Sequence, residues 1–219
     1  MVNILFDCPN IDDFYYDLNK YFSSTMRVAV VAFSFYDDYV YDKESWNLVY
    51  GKNIGNGYFE VTDAFTKFGI KEENITFINY FTHTSNQAKQ IIKNADVVYF
   101  TGGLPDRMMD RIYDFDLYDT LSEFDGIVVG YSAGAVIQLS EYHLTPDADY
   151  SEFGYFRGLP YLDSFYLEVH YEHKDIQNQS IKKVLLEKNK PIYVTHTRKG
   201  GIVVDNEGVK ILGKVDVYT

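Results

Sequence analysis

With one cysteine, Cys8, and five prolines in 219 residues, this chain has few covalent or conformational staples. A lone thiol excludes an internal disulfide framework and any zinc site built from cysteines. Apolar runs are short, and none approaches the roughly 20 residues a helix needs to cross a bilayer. Residues 1–8 (MVNILFDC) therefore read as a first strand and not as a signal peptide. Cations are scarce too: 20 Lys and Arg stand against 32 Asp and Glu, a formal net charge of −12. No basic patch is present to hold a nucleic-acid backbone. Repeats, low-complexity segments and linkers rich in Pro, Gly or Ser are missing, so residues 1–219 read as one domain. These absences predict a globular, cytoplasmic protein without cofactor, metal, membrane or nucleic-acid partner.

Tyrosine, by contrast, is abundant at 21 residues, often beside acids as in residues 35–41 (FYDDYVY). Such runs suit an amphipathic surface or the aromatic rim of a pocket. Residues 27–33, 75–80, 95–101 and 126–131 are nearly continuous apolar runs, the pattern of strands buried on both faces of a parallel sheet. Helical patterns lie between them, near 55–68, 85–94, 105–122 and 133–141. The last third adds a strand near 164–170, a helix near 175–188 and a strand near 191–195. A closing hairpin turns at Asn206, Glu207 and Gly208. This alternation predicts an α/β fold: a mostly parallel central sheet with helices on both faces, and a C-terminal β-hairpin. Reactive groups in such sheets collect at the carboxyl ends of the strands.

Gly130-Tyr131-Ser132-Ala133-Gly134 is a G-x-S-x-G pentapeptide at such a strand end. A sharp strand-to-helix turn there would hold Ser132 in a strained conformation, its hydroxyl exposed above the sheet as a nucleophile. Thr101-Gly102-Gly103 ends the preceding strand, and an oxyanion hole needs two N–H donors. Ala133 and Gly103 are the natural pair, with Gly102 the alternative to Gly103. Of five histidines, His170 ends a strand and is the first choice of base; His196 is the second. His83 reads as peripheral. His170 and His173 form an H-x-x-H pair, but helical zinc sites usually space two histidines four apart and add a third ligand. Asp147, Glu168, Glu172 and Asp175 are the acids available to orient the base. An extended 165–172 would put Glu168, His170 and Glu172 on one face.

The TGG turn, the GYSAGA elbow about 30 residues on and a strand-borne histidine 38 residues after the serine together resemble the peptidase E and cyanophycinase family of serine peptidases. The resemblance covers most of the chain and is strongest over residues 96–140. It implies a fold similar to class I glutamine amidotransferases, Ser132 as nucleophile, His170 as base and Gly103 and Ala133 as oxyanion donors. Asp147 falls where peptidase E has an aspartate implicated in activity. Near the last strand the family often has an acidic residue beside a glycine; here the stretch is His196-Thr197-Arg198-Lys199-Gly200, without a carboxylate. Either Asp147 or a glutamate near His170 takes that role, or the site works as a dyad. Arg198 in the acid's place suits a substrate carboxylate. The expected function is a serine hydrolase cleaving small peptides. An esterase or amidase, or a binding protein that has lost its triad, are the alternatives.

Overall fold

Two hydrophobic clusters separated by one sheet account for the continuous apolar runs. The computed structural model describes residues 1–219, the side chain of Lys199 excepted. Its strands are β1 (Val2–Phe6), β2 (Val28–Val31), β3 (Ile75–Ile78), β4 (Val97–Phe100), β5 (Ile127–Tyr131), β6 (Glu141–Leu144), β7 (Gly154–Arg157), β8 (Tyr166–Tyr171), β9 (Ile192–Asp205) and β10 (Gly208–Tyr218). Its helices are α1 (Tyr15–Leu18), α2 (Lys43–Tyr50), α3 (Asn56–Lys67), α4 (Ser85–Lys93), α5 (Pro105–Asp114), α6 (Tyr118–Ser122), α7 (Ala133–Val136) and α8 (Asp175–Lys188).

Eight strands form one sheet in the order β10-β9-β1-β5-β4-β2-β3, with β8 also pairing β9. The run from β1 to β3 is parallel, whereas β9 lies antiparallel to both β1 and β10. Alternate residues of each parallel strand face opposite ways. Ala29, Val31, Val98 and Val128 join Ile92, Met108, Ile112 and Leu121 on one side. Val28, Val30, Tyr99 and Val129 join Trp46, Val61 and Phe65 on the other. The architecture is therefore α/β, a mostly parallel sheet between helical layers, closed by the antiparallel β9–β10 hairpin. A third cluster packs Ile181 and Val184 of α8 on Tyr166, Ile192 and Val194.

Three stretches depart from the sequence pattern. The helical pattern over 105–122 is broken between α5 and α6, where Asp116 adopts φ 55°. The helix expected over 133–141 stops after one turn, because the carbonyls of Ile137 and Gln138 are taken by the N–H groups of Leu159 and Leu162. The chain then enters the β6–β7 hairpin, whose four residue pairs run from Glu141↔Arg157 to Leu144↔Gly154. Finally, β8 carries a bulge: Glu168 pairs with Val194 but Tyr171 with His196, so three steps on β8 oppose two on β9. His170, inside the bulge, has φ 56°. The alternation that would align Glu168, His170 and Glu172 is lost there.

Candidate active site

The ends of β1, β4, β5 and β8 meet on one cleft of about 830 Å³, lined among others by Asp7, Gly102, Gly103, Ser132, Ala133, His170 and Arg198. Ser132 stands at the tip of β5 with φ 51° and ψ −115°, a strained backbone for a non-glycine residue. Its N–H donates to Phe6 O at 2.9 Å, which ties the tip to β1. Gly134 passes so close to β4 that a Cβ would meet Phe100 O at 2.3 Å, and one on Gly130 would meet Gly134 O at 2.1 Å. Both close approaches are backbone against backbone, so the turn forms only with glycine at these places. Beneath it, buried Gln138 donates to Gly134 O at 3.0 Å and accepts from Asn3 at 3.0 Å. Because α7 is a single turn, its macrodipole is small. Negative charge at the site would be met by individual N–H groups.

The bulge in β8 turns His170 out of the strand and toward β5. Its Nε2 lies 2.8 Å from Ser132 Oγ. From the other side, Gln177 in the first turn of α8 donates to His170 O at 3.0 Å and accepts from Glu172 N–H at 2.9 Å. The imidazole Nδ1 faces Asp7 Oδ2 at 4.0 Å. Asp7 ends β1 and is fully buried; its Oδ2 accepts the backbone N–H of Arg198, while Oδ1 has no hydrogen-bond partner among the described residues. Burial pushes the Asp7 carboxyl above its ordinary range, against the Arg198 N–H and the imidazole, which favour its charge. Desolvation by the cleft walls lowers His170, whose ring is still about half-exposed, below the ordinary 6.5, with Asp7 opposing it. Cys8, next along the chain, is pushed up to about 12, by burial first and by the Asp7 charge second, so its thiol stays protonated at neutral pH.

The other residues that the sequence nominates have different surroundings. Asp147 lines the cleft, yet its Oδ1 accepts the N–H groups of Asp149 and Tyr150 within its own turn. Glu168 is buried against β6, accepting from Thr145 and pairing with His143 Nε2, each at 2.8 Å. Glu172 is exposed and pairs with Lys174 at 2.7 Å. Asp175 begins α8. His196 turns away, bonded to Asp216 at 2.7 Å, with its ring 5.0 Å from that of His173. His83 accepts the Asn79 N–H. Among the described residues no three His, Cys, Asp or Glu side chains are grouped as metal ligands. Gly103 and Ala133 both line the cleft beside Ser132, and exposed Arg198 stands at its edge. Asp7, the carboxylate that faces the imidazole, is not among the acids that the sequence nominates. Its signal is an acidic residue at the end of an apolar run, the same criterion that selects Ser132 and His170.

Two solved structures share this architecture across nearly the whole chain. A candidate peptidase E from Listeria monocytogenes EGD-e superposes with a TM-score of 0.68 at 15% identity, covering 97% of this chain and 98% of that one. A peptidase from an acI-B1 Actinobacterium superposes with a TM-score of 0.63 at 14% identity, covering 100% and 93%. At such identities the likeness shows the fold. No curated protein matches the sequence. The model of peptidase family S51, however, matches residues 56–212, well over half of its length, and the chain belongs to that family.

Proposed function

We propose that the protein is a serine peptidase of small peptides, with Ser132 as nucleophile, His170 as general base and Asp7 as the acid that orients it. The observation that carries this reading is the 2.8 Å contact of His170 Nε2 with Ser132 Oγ at a strained strand end. Membership of family S51 makes the bond hydrolysed a peptide bond. As Ser132 Oγ bonds to the carbonyl carbon, its proton passes to Nε2, and the carbonyl electrons move onto oxygen. The N–H groups of Gly103 and Ala133 stabilise that oxyanion. When the C–N bond breaks, Nε2 returns the proton to the departing amine. Water then repeats the sequence on the acyl-enzyme, leaving a free acid and Ser132 restored. Asp7, facing Nδ1, favours the tautomer with Nε2 unprotonated and stabilises the imidazolium that follows. Arg198 offers a guanidinium for the free carboxylate of a short peptide. On this reading the protein works in the cytoplasm, where a lone free cysteine stays reduced.

A fluorophosphonate probe tests the reading. Labelling of the wild type at Ser132, with labelling and dipeptide hydrolysis both abolished in Ser132→Ala, is the expected result. A Ser132→Ala protein that hydrolyses dipeptides like the wild type overturns it.

A further inference from the structure

We infer that Ser34, a buried residue beyond the end of β2, is a positioning residue that sets the oxyanion hole through the Gly102–Gly103 peptide. The inference rests on the serine-peptidase reading above, and deepens it.

Ser34 is fully buried and Thr101 nearly so. Ser34 Oγ lies 2.5 Å from Gly102 O and 2.8 Å from Thr101 Oγ1. A carbonyl only accepts, and a serine hydroxyl has one proton, so Ser34 donates to Gly102 O and Thr101 donates to Ser34. The hydroxyls thus form a directed chain, Thr101 to Ser34 to Gly102, across the ends of β4 and β2. In a trans peptide the C=O and the next N–H point opposite ways. With Gly102 O drawn down onto Ser34, the Gly103 N–H is turned up, toward the cleft that Gly103 shares with Ser132 and Ala133. The turn is further held by Leu104 N–H donating to Ser34 O at 2.8 Å. Gly103 itself has φ +139°, and a Cβ there would strike Ser34 O at 2.2 Å. One residue therefore anchors the turn twice, once by its carbonyl and once by its hydroxyl. Flipping the peptide would leave the buried Ser34 hydroxyl without its acceptor and aim a carbonyl, not a donor, at the oxyanion.

The test compares acylation by 4-nitrophenyl acetate and by its thionoacetate, with the Ser132→Ala rate subtracted. Sulfur is a poor acceptor for a preset N–H pair, so an intact hole discriminates strongly between the two probes. Ser34→Ala is expected to lose about tenfold or more in acylation by the oxygen ester, toward the 10²–10³ of a deleted donor. The oxygen-to-sulfur rate ratio falls with it, while KM and the pH midpoint set by His170 stay in place. Thr101→Val, close to isosteric, is expected to shift the ratio the same way but less, and decides the matter if Ser34→Ala does not fold. Unchanged ratios in the folded variants, beside an inactive Ser132→Ala, overturn the role of Ser34 and leave the peptidase reading standing. A Ser132→Ala protein as active as the wild type removes both.

Discussion

Asp7 concentrates the conflict between stability and chemistry in one side chain. It is fully buried, one carboxylate oxygen has no partner among the described residues, and burial raises its pKa. A carboxyl raised above its ordinary 3.8 gives stability that is present at low pH and lost as pH rises through the raised value. At neutral pH the fold therefore carries the cost of that charge. Asp7→Asn removes the charge but keeps an acceptor for the Arg198 N–H, and Tm at pH 7 is expected to rise by a few degrees, as about 1 kcal/mol would produce. Activity should move the other way, falling on the order of 10²- to 10⁴-fold as the tautomer of His170 loses its guide. The pH profile gives the signature. His170 is already lowered, so the acid limb of kcat/KM in the wild type falls below 6.5. Without the Asp7 charge, imidazolium loses a partner and the limb moves lower still. A limb that stays in place or moves up would show that Asp7 does not act on the imidazole. Ser132 and His170 are legible in the sequence because each closes an apolar run near recognisable glycines or strands. Their link to Asp7 spans nearly the whole chain and depends on β9 laying Arg198 beside β1, which no local pattern records.

At the scale of elements, regular periodicity is readable and its interruptions are not. The parallel strands and α3, α4 and α8 lie where apolar runs and helical spacing put them, since each strand is an unbroken apolar run and each helix keeps one pattern from end to end. By contrast, α2 starts from a capping box of Asp42 and Ser45, a weaker signal than Ser or Thr with Glu, and goes unread. The early end of α7 and the bulge of β8 arise from tertiary pairing with residues far along the chain. The bulge matters most, because it places His170 over Ser132 while sending Glu168 into the β6 side of the cleft. Gln177 braces it by bonding both to His170 O and to Glu172 N–H. Gln177→Ala removes both hydrogen bonds from part-buried backbone groups, at a cost of about 1 kcal/mol. Thermal unfolding should drop by a few degrees. Because His170 loses its fixed orientation, kcat should fall at least tenfold with little change in KM. An equal loss of stability with kcat intact would mean that β9 pairing alone holds the bulge.

At the scale of the molecule, net charge and cleft charge act in different ranges. The chain carries −12, and among the described residues the cleft is lined by Asp7, Asp147, Asp149, Glu168 and Glu172 against Lys174 and Arg198. At about 0.01 M salt the Debye length is roughly 30 Å, long enough for the whole surface to act on a substrate before contact. Near 0.5 M it shrinks to a few Å, and only groups lining the cleft are felt. Capture of a dipeptide with net positive charge should therefore weaken as salt rises. Capture of one with net negative charge should strengthen, and that of a zwitterionic one should hardly change. The effect belongs to kcat/KM, by a few fold, and not to kcat, because the bound peptide already sits within the screened distance. Measuring the three peptides from 0.01 to 0.5 M separates the contributions. If the anionic peptide also loses kcat/KM with salt, then the guanidinium of Arg198 and the ammonium of Lys174 outweigh the −12 of the chain, and local cations rather than the global field bring substrate to Ser132.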